Sequence, residues 1–265
     1  MIAERAAPFL HRWGLRLDGP PMYGRCAVVL PVLRTDGTPA ALKLQDVDDE
    51  TVGEPVALRA WNGEGAARLL AADNGTLLLE RLDSDRPLDD LPGTREATLV
   101  IAHLLAGLTA LKAPPELRRL ADIAPRLLDR TAAVLPRLKD PGPLADCAAA
   151  LREVAGEPGD RLLHWDLHFE NVLAADRAPW LAIDPKPLAG DPGFELFPAL
   201  WNRFDASEVR WRFDAMTDVL GLDRDRARAW TLGRVLQNSV WQIEEGDAPL
   251  PEHLEIAERL RGHGG

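Results

Sequence analysis

The sequence predicts an α+β protein with two lobes: a small, β-rich N-terminal lobe that contains one helix, and a larger, mainly helical C-terminal lobe. Short apolar segments separated by turn signals fill roughly the first third of the chain, and apolar residues recur at helical spacing over most of the remainder. With 265 residues, of which 46% are hydrophobic, the chain can bury the cores of two closely packed lobes. We assign residues 1–82 to the first lobe and residues 83–265 to the second.

The N-terminal lobe is predicted to be a sheet with one inserted helix. Strand-like segments occupy residues 25–33, 40–44, 66–71 and 76–81. Asp36-Gly37 is a hairpin signal between the first two segments, and Asn74-Gly75 is a turn signal between the last two. Apolar residues recur at helical spacing over residues 48–61, and Asn62-Gly63 is a typical helix stop.

A polar stretch at residues 82–87, at the boundary between the two lobes, is interpreted as a hinge. Helices are predicted at residues 94–112, 116–139, 144–154, 207–220, 223–243 and 251–260. Pro125 and Pro136 would divide the second of these into shorter pieces, because proline removes a backbone donor from a helix.

The net charge of the chain limits the classes of ligand that it is expected to bind. Asp and Glu outnumber Lys and Arg by 42 to 31, so the formal net charge is -11, whereas a nucleic-acid-binding protein needs a clustered basic patch. A cationic small molecule fits this surface better, although acidity also simply keeps proteins soluble. No apolar run is long enough to span a bilayer, and the N-terminus lacks the pattern of a secretory signal. We therefore expect a cytoplasmic monomer without nucleic-acid or membrane partners, in which Cys26 and Cys147 are buried structural thiols.

The strongest functional pattern is His164-x-Asp166-x-x-x-x-Asn171, followed thirteen residues later by Asp184 across a short hairpin that turns at residues 176–179. This spacing is the catalytic-loop arrangement of kinases. Phosphoryl transfer requires a carboxylate that orients an acceptor hydroxyl and accepts its proton, and hard oxygen ligands for the Mg²⁺ that bridges the nucleotide phosphates. Asp166 is therefore the predicted base, and Asn171 and Asp184 are the predicted Mg²⁺ ligands.

A second pattern lies far away in the sequence. Lys43 is in a predicted strand, and Glu54 follows eleven residues later in the predicted helix of the N-terminal lobe. In kinases, a strand lysine contacts the α- and β-phosphates and is held by a helix glutamate. Glu50, one turn earlier on the same helix face, is a competing partner for Lys43. In the loop expected to cover the nucleotide, Gly24 is the one candidate for a backbone contact to phosphate, and no Gly-x-Gly-x-x-Gly pattern surrounds it.

Together these motifs resemble those of the aminoglycoside phosphotransferase superfamily and, more closely, its aminoglycoside/hydroxyurea resistance kinases, which include streptomycin 6-kinase. The resemblance rests on residues 164–173, on residues 180–187 with 190–195, and on Glu54-x-x-Ala57-Leu58-Arg59-x-Trp61, and it extends through Asn238. It implies a two-lobed, protein-kinase-like fold that uses ATP and Mg²⁺. It also implies phosphorylation of a hydroxyl group of a cationic antibiotic, first of all streptomycin at its 6-position, which would confer resistance.

The resemblance also implies where the nucleotide and the acceptor bind. Adenine would dock on the backbone around Glu80 and Leu82, near the hinge. Lys186 is a candidate for contact with the γ-phosphate or for a plain surface position. Carboxylates near Asp166 would bind a guanidinium or ammonium group of the acceptor. The acceptor candidates are Glu170, Glu195, Asp205, Glu244 and Glu245, with Trp201 and Trp241 as aromatic covers, although such residues are more often solvated charges or core side chains.

Two departures from wider kinase patterns concern regulation. Trp165 stands where protein kinases have the arginine that pairs with a phosphorylated activation loop, and Pro185 restricts the backbone after Asp184. We therefore expect a constitutively competent enzyme. Three alternatives stay open: a kinase of the same class for hydroxyurea, another aminoglycoside or a metabolite; a silent pseudokinase that only binds ligands; and a protein kinase. The complete set of predicted catalytic residues disfavours the second, and the absent arginine disfavours the third.

Overall fold

A six-stranded antiparallel sheet forms most of the N-terminal region in the computed structural model, which describes residues 2–24 and 26–262. Its strands are β1 (Arg16–Leu17), β2 (Met22–Tyr23), β3 (Ala27–Leu33), β4 (Pro39–Gln45), β5 (Leu69–Asp73) and β6 (Thr76–Glu80). Their order is β1-β3-β4-β6-β5, and β2 also pairs with β3. The connection between β3 and β4 contains Gly37 with a φ of +81°, a conformation that glycine adopts without steric cost, and the predicted hairpin is confirmed.

The N-terminal region contains a second helix, so the expectation of a single helix is wrong. Helix α1 (Ile2–Arg12) precedes the sheet, and Ala6 belongs to one buried cluster with Leu30 of β3 and Leu42 of β4. Pro8 lies inside this helix, and an interior proline is untypical of helices. Apolar residues nevertheless recur at helical spacing, and the face that contains Ile2, Ala6 and Phe9 packs on the sheet.

Helix α2 (Glu54–Trp61) begins later than the predicted start at residue 48. The segment before it is a turn, in which the carboxylate of Asp48 accepts hydrogen bonds from the backbone N–H groups of Glu50 and Thr51. Such competition by a short polar side chain favours turns over helix. The helix ends where predicted, because Asn62 adopts the left-handed conformation with a φ of +48°.

The stretch at residues 82–87, interpreted as a hinge, contains strand β7 (Asp83–Pro87). This strand pairs with β9 (Val172–Ala174), which in turn pairs with β10 (Trp180–Ala182). The hairpin predicted around residues 176–179 is thus present. The chain that leaves the N-terminal sheet is hydrogen-bonded directly to the hairpin that follows the His164 motif.

Helices dominate the rest of the described chain and confirm the predicted α+β class. They are α3 (Thr94–Leu108), α4 (Leu120–Val134), α5 (Gly142–Val154), α6 (Phe197–Trp201), α7 (Val209–Leu220), α8 (Arg224–Glu245) and α9 (Pro251–Arg261). Strands β8 (Arg161–Leu163) and β11 (Leu188–Gly190) form a small antiparallel sheet among them. Helix α3 packs against α7, and α5 packs against α8. Helix α4 continues through Pro125, contrary to prediction, and ends before Pro136.

The two cysteines differ in exposure. Cys147 in α5 is buried as predicted, whereas Cys26 is exposed at the turn between β2 and β3, so the expectation of a buried thiol is wrong there. Across residues 2–24 and 26–262, no helix combines the length and apolarity needed to cross a membrane.

Trp61 joins α2 to the C-terminal helices and provides a test of this packing. Its indole Nε1–H donates to the backbone carbonyl of Leu108 at 3.0 Å, and the residue is 2% exposed. Replacing Trp61 by Phe removes that donor, so we expect the free energy of unfolding in urea to fall by about 1–3 kcal/mol. The control Trp201→Phe, at a position 42% exposed, should change it by less than about 0.5 kcal/mol. Equal effects of the two substitutions would contradict this assignment.

Candidate active site

His164 ties the start of the predicted catalytic loop to the segment around Asp184. The loop follows strand β8, and the imidazole Nε2 of His164 hydrogen-bonds with the carbonyl of Ile183 at 3.0 Å. The carbonyl of His164 accepts a hydrogen bond from the N–H of Lys186, also at 3.0 Å. Burial lowers the pKa of His164 to about 3, so the ring is neutral at physiological pH and serves as a structural link.

The hairpin β9–β10 brings Asn171 and Asp184 to the same end of the sheet. The carbonyl of Asn171 accepts a hydrogen bond from the N–H of Ile183 at 2.9 Å. The side-chain Nδ2 of Asn171 donates to the carbonyl of Asp166 at 2.8 Å, which leaves the amide oxygen as the group available to a ligand. Asn171 is therefore hydrogen-bonded to Asp166 through its side chain and to Ile183, the neighbour of Asp184, through its backbone.

Lys43 extends from the central strand β4 and contacts carboxylates from two other elements. Its Nζ lies 2.7 Å from both carboxylate oxygens of Glu54 in α2 and 2.5 Å from Oδ1 of Asp184. Burial opposes a charge on Lys43, but the charges of Glu54 and Asp184 outweigh it and raise its pKa. Of the two predicted partners, the structure places Glu54 against Lys43, whereas Glu50 lies in the preceding turn and pairs with Arg118 at 3.4 Å.

Asp184 is held in an unusual conformation between two ammonium groups. Its φ is +56°, in the left-handed region that non-glycine residues seldom adopt. Oδ1 contacts Lys43, and Oδ2 lies 3.0 Å from Nζ of Lys186. Burial acts to raise the pKa of this carboxyl group, but the charges of the two lysines have the larger effect. The pKa of Asp184 is therefore lowered, and the group is ionised at neutral pH.

Asp166 presents a carboxylate that is free of internal hydrogen bonds. Within residues 2–24 and 26–262, no group donates a hydrogen bond to its side-chain oxygens. Burial raises its pKa above the usual value, and the charges of His168, Arg234 and Lys186 act in the opposite direction. A half-buried carboxylate with free oxygens can accept a proton from a hydroxyl group that is placed beside it.

Two arginines beside Trp165 were not recognised in the sequence. The guanidinium carbons of Arg118 and Arg234 lie 4.0 Å and 4.3 Å from the centre of the Trp165 ring. Trp165 itself has a φ of +73° and stacks on Trp241. Arg118 comes from the loop before α4 and Arg234 from the middle of α8, so no local motif connects them. The one signal available in the sequence was the unusual tryptophan itself.

Glu195 does not serve as a surface carboxylate for the acceptor, and this prediction is wrong. The residue is fully buried, and its two carboxylate oxygens accept the backbone N–H of Trp165 at 2.8 Å and 3.0 Å. Burial raises its pKa to about 7, against the opposing effects of this N–H group and of Arg234. Glu195 therefore holds the backbone next to Asp166 in place.

The other residues predicted to contact the acceptor lie on different elements and make different contacts. Glu170 is exposed on the predicted catalytic loop itself, and Glu245 is exposed at the end of α8. Glu244 pairs with Arg130 of α4. Trp201 packs against His253 of α9. Of this group, Glu170 is the carboxylate that both belongs to the loop and is exposed to solvent.

The residues predicted around the nucleotide are partly engaged in other contacts. The N–H of Gly24 donates to the carbonyl of Ala27 at 2.9 Å, so this group closes the turn between β2 and β3 and is not free for a phosphate. The side chain of Glu80 pairs with Arg177 at 2.5 Å, and its pKa is lowered by that bond despite burial. Leu82 lies in the two-residue connection between β6 and β7.

The oxygen atoms near Asp166 suit a magnesium ion. Asp184 offers a carboxylate and Asn171 an amide oxygen, and Mg²⁺ prefers hard oxygens, taking one or two protein ligands together with phosphate oxygens and water. Among the described residues, no group of three or more His, Cys, Asp or Glu side chains could hold a metal ion. In this structure both oxygens of Asp184 contact lysine ammonium groups, which a metal ion on Asp184 would have to displace.

Comparisons with known proteins identify the family of this chain. Residues 12–246 match the family model described as aminoglycoside/hydroxyurea antibiotic resistance kinase. The chain is 61% identical to the hydroxyurea phosphotransferase of Kitasatospora aureofaciens, over 100% of this chain and 80% of that protein. It is 52% identical to the streptomycin 6-kinase of Streptomyces glaucescens, over 96% of this chain and 87% of that protein.

A solved structure with low sequence identity shows the fold. The apoenzyme of a macrolide 2'-phosphotransferase from Brachybacterium faecium matches with a TM-score of 0.64 and 18% identity, over 99% of each chain. The predicted two-lobed, protein-kinase-like architecture is therefore confirmed.

Glu195 gives a testable dependence of stability on pH. Its pKa of about 7 in the folded protein exceeds the ordinary value of 4.5, so its stabilising contribution is complete below about pH 4.5 and is lost as the pH rises through about 7. At about 1.4 kcal/mol for each pKa unit, wild type should lose about 2–3 kcal/mol relative to Glu195→Gln between about pH 5 and about pH 8. Urea denaturation of both proteins measures this difference. A difference that stays constant with pH would show that Glu195 does not titrate in this way.

Proposed function

Since this chain belongs to the aminoglycoside/hydroxyurea antibiotic resistance kinase family, we propose that it transfers the γ-phosphoryl group of ATP to a hydroxyl group of a small-molecule antibiotic. The observation that carries this proposal is the convergence of Lys43, Glu54 and Asp184 within hydrogen-bond distance, next to the free carboxylate of Asp166. A kinase needs these groups for the phosphates, the metal ion and the acceptor. Nucleotide use follows from the family, and ATP with Mg²⁺ is the specific form that we propose.

Each residue has a distinct task in the proposed reaction. Lys43, held by Glu54, binds the α- and β-phosphates, while Asn171 and Asp184 would hold Mg²⁺. The metal ion, when bound, neutralises charge on the phosphate oxygens. Asp166 orients the acceptor hydroxyl and takes its proton as the new bond to phosphorus forms. Adenine is proposed to contact the backbone at Glu80 and Leu82.

We propose streptomycin, phosphorylated at its 6-position, as the first candidate acceptor. The support is the similarity to a streptomycin 6-kinase and the acidic surface, with a net charge of -11, which suits a cation. Glu170 is the proposed contact for a cationic group, because it is exposed on the same loop as Asp166. Glu244, Glu245 and Trp201 are secondary candidates farther along the chain.

Hydroxyurea is the second candidate, and a specific observation favours it. Next to Asp166 the structure has the positive charges of Arg234 and Lys186, with Arg118 also beside Trp165. These cations repel a guanidinium group but suit a small neutral acceptor with a carbonyl oxygen. The similarity to a hydroxyurea phosphotransferase points the same way.

The setting that we propose is a cytoplasmic monomer that needs no activating phosphorylation. Trp165 occupies the position of the regulatory arginine of protein kinases and is packed between cationic side chains. Such a residue offers no group that could pair with a phosphorylated loop.

A panel of acceptors decides between the two substrates. Purified protein is incubated with ATP and Mg²⁺ together with streptomycin, hydroxyurea, another aminoglycoside or a generic protein substrate, and ADP release is measured. We expect release with streptomycin or hydroxyurea at least about tenfold above the rate with water alone, and no release with the protein substrate. Nucleotide binding without release with any acceptor would favour a binding module and contradict the proposal.

Asp166 provides the test of the mechanism. Replacing Asp166 by Asn removes the proton acceptor while preserving the size of the side chain, so kcat should fall by about 10²- to 10⁴-fold. Nucleotide affinity and the unfolding transition should change little. The control is Asp176→Asn, at an exposed carboxylate in the turn of the β9–β10 hairpin, which should keep full activity. Near-full turnover by Asp166→Asn would show that another group is the base.

A further inference from the structure

Lys186 is a charged residue to which the mechanism above gives no task. Its Nζ lies 3.0 Å from Oδ2 of Asp184, and its side chain is only 12% exposed. Its charge also lowers the pKa of Asp166, so the ammonium group is within electrostatic reach of the proposed base as well. The space between these two carboxylates is where a kinase holds the phosphoryl group that it transfers.

The backbone of Lys186 is fixed on both sides. Its N–H donates to the carbonyl of His164 at 3.0 Å, and its carbonyl accepts a hydrogen bond from Arg118 at 2.9 Å. Pro185 and Pro187 flank it, and proline restricts the backbone angle φ. The side chain of Lys186 therefore extends from a rigid anchor that is part of the same hydrogen-bonded unit as the catalytic loop.

The two lysines beside Asp184 differ in how much they depend on it for an ion pair. Lys43 contacts the carboxylates of both Glu54 and Asp184. In the part of the chain that the structure describes, the one ion pair of Lys186 is with Asp184. If Asp184 held a metal ion instead, Lys43 would keep its ion pair with Glu54, whereas Lys186 would lose its counter-ion. An ammonium group that is mostly removed from water needs a new anion, and the terminal phosphate of the nucleotide is the anion that arrives there.

We propose that Lys186 binds the γ-phosphoryl group of ATP and stays bound to its oxygens during transfer. The inference rests on the proposed function. In the transfer step the acceptor oxygen forms a bond to the γ-phosphorus, and the bond from that phosphorus to the β,γ-bridging oxygen breaks. Its electron pair leaves with ADP, and the acceptor proton passes to Asp166. Lys186 keeps its own proton throughout, and its charge offsets the charge on the transferred oxygens.

The affinities for two nucleotides, measured without an acceptor, test this proposal. ADP lacks the γ-phosphate, and β,γ-imido-ATP carries one that is not transferred, so the ratio of their Kd values isolates the contact. With Mg²⁺ present in a calorimetric titration, Lys186→Gln should weaken binding of β,γ-imido-ATP about tenfold and leave the Kd for ADP within about twofold. Lys186→Met, which keeps the apolar stem, gives the same test if the glutamine variant folds poorly.

The control is Lys112→Gln, which removes an exposed lysine paired with Asp160 and should change neither affinity. A purely structural role of the Lys186–Asp184 ion pair would alter both affinities by the same factor or alter neither, and either result overturns the proposal. If the wild-type protein binds neither nucleotide, the proposed function fails together with this inference. If wild type binds both and the ratio does not change in the variants, only the role of Lys186 is refuted.

Discussion

The structure of the site depends on the buried ion pair between Lys43 and Glu54, which reaches across to Asp184. Removal of charged groups from water is costly, and their attraction offsets that cost only when the geometry is good. Here Glu54 is completely buried, both of its oxygens lie 2.7 Å from Lys43, and Gln45 donates a further hydrogen bond. The central strand, helix α2 and the Asp184 segment are thereby held in one arrangement. That arrangement places the ammonium group of Lys43 in direct contact with the carboxylates of Glu54 and Asp184.

Two residues with positive φ lie beside the groups that act in the proposed reaction, and three other described non-glycine residues with positive φ, Asn62, Asn74 and Arg203, lie elsewhere. Trp165, next to Asp166, and Asp184 both have positive φ values, of +73° and +56°. Such conformations cost on the order of 1–3 kcal/mol each and persist only where the surroundings enforce them. The enforcing contacts are specific: Glu195 accepts the N–H of Trp165, and Arg118 lies against the Trp165 ring. The packing of the C-terminal core thus offsets the cost of the backbone conformations that orient the carboxylates of Asp166 and Asp184.

Local patterns in the sequence identified most of this site, and long-range packing supplied the rest. The spacing from Asp166 to Asp184 predicted the loop and the hairpin, because a short hairpin determines the relative positions of the residues at its two ends. The sequence could not decide between Glu50 and Glu54, since a turn rather than a helix occupies the residues before Glu54. Neither the burial of Glu195 nor the approach of two distant arginines to Trp165 leaves a local pattern, because each arises from packing between elements that are far apart in the chain.

The most direct test of the central claim is a double-mutant cycle on Lys43 and Glu54, read out as the affinity for β,γ-imido-ATP with Mg²⁺. If Glu54 acts by holding Lys43 on the phosphates, Glu54→Gln should weaken binding at least about fivefold in the wild-type background and less than about twofold when Lys43 is already Met. Equal losses in both backgrounds would mean that the two residues act independently, and the buried ion pair would not be the element that organises the site.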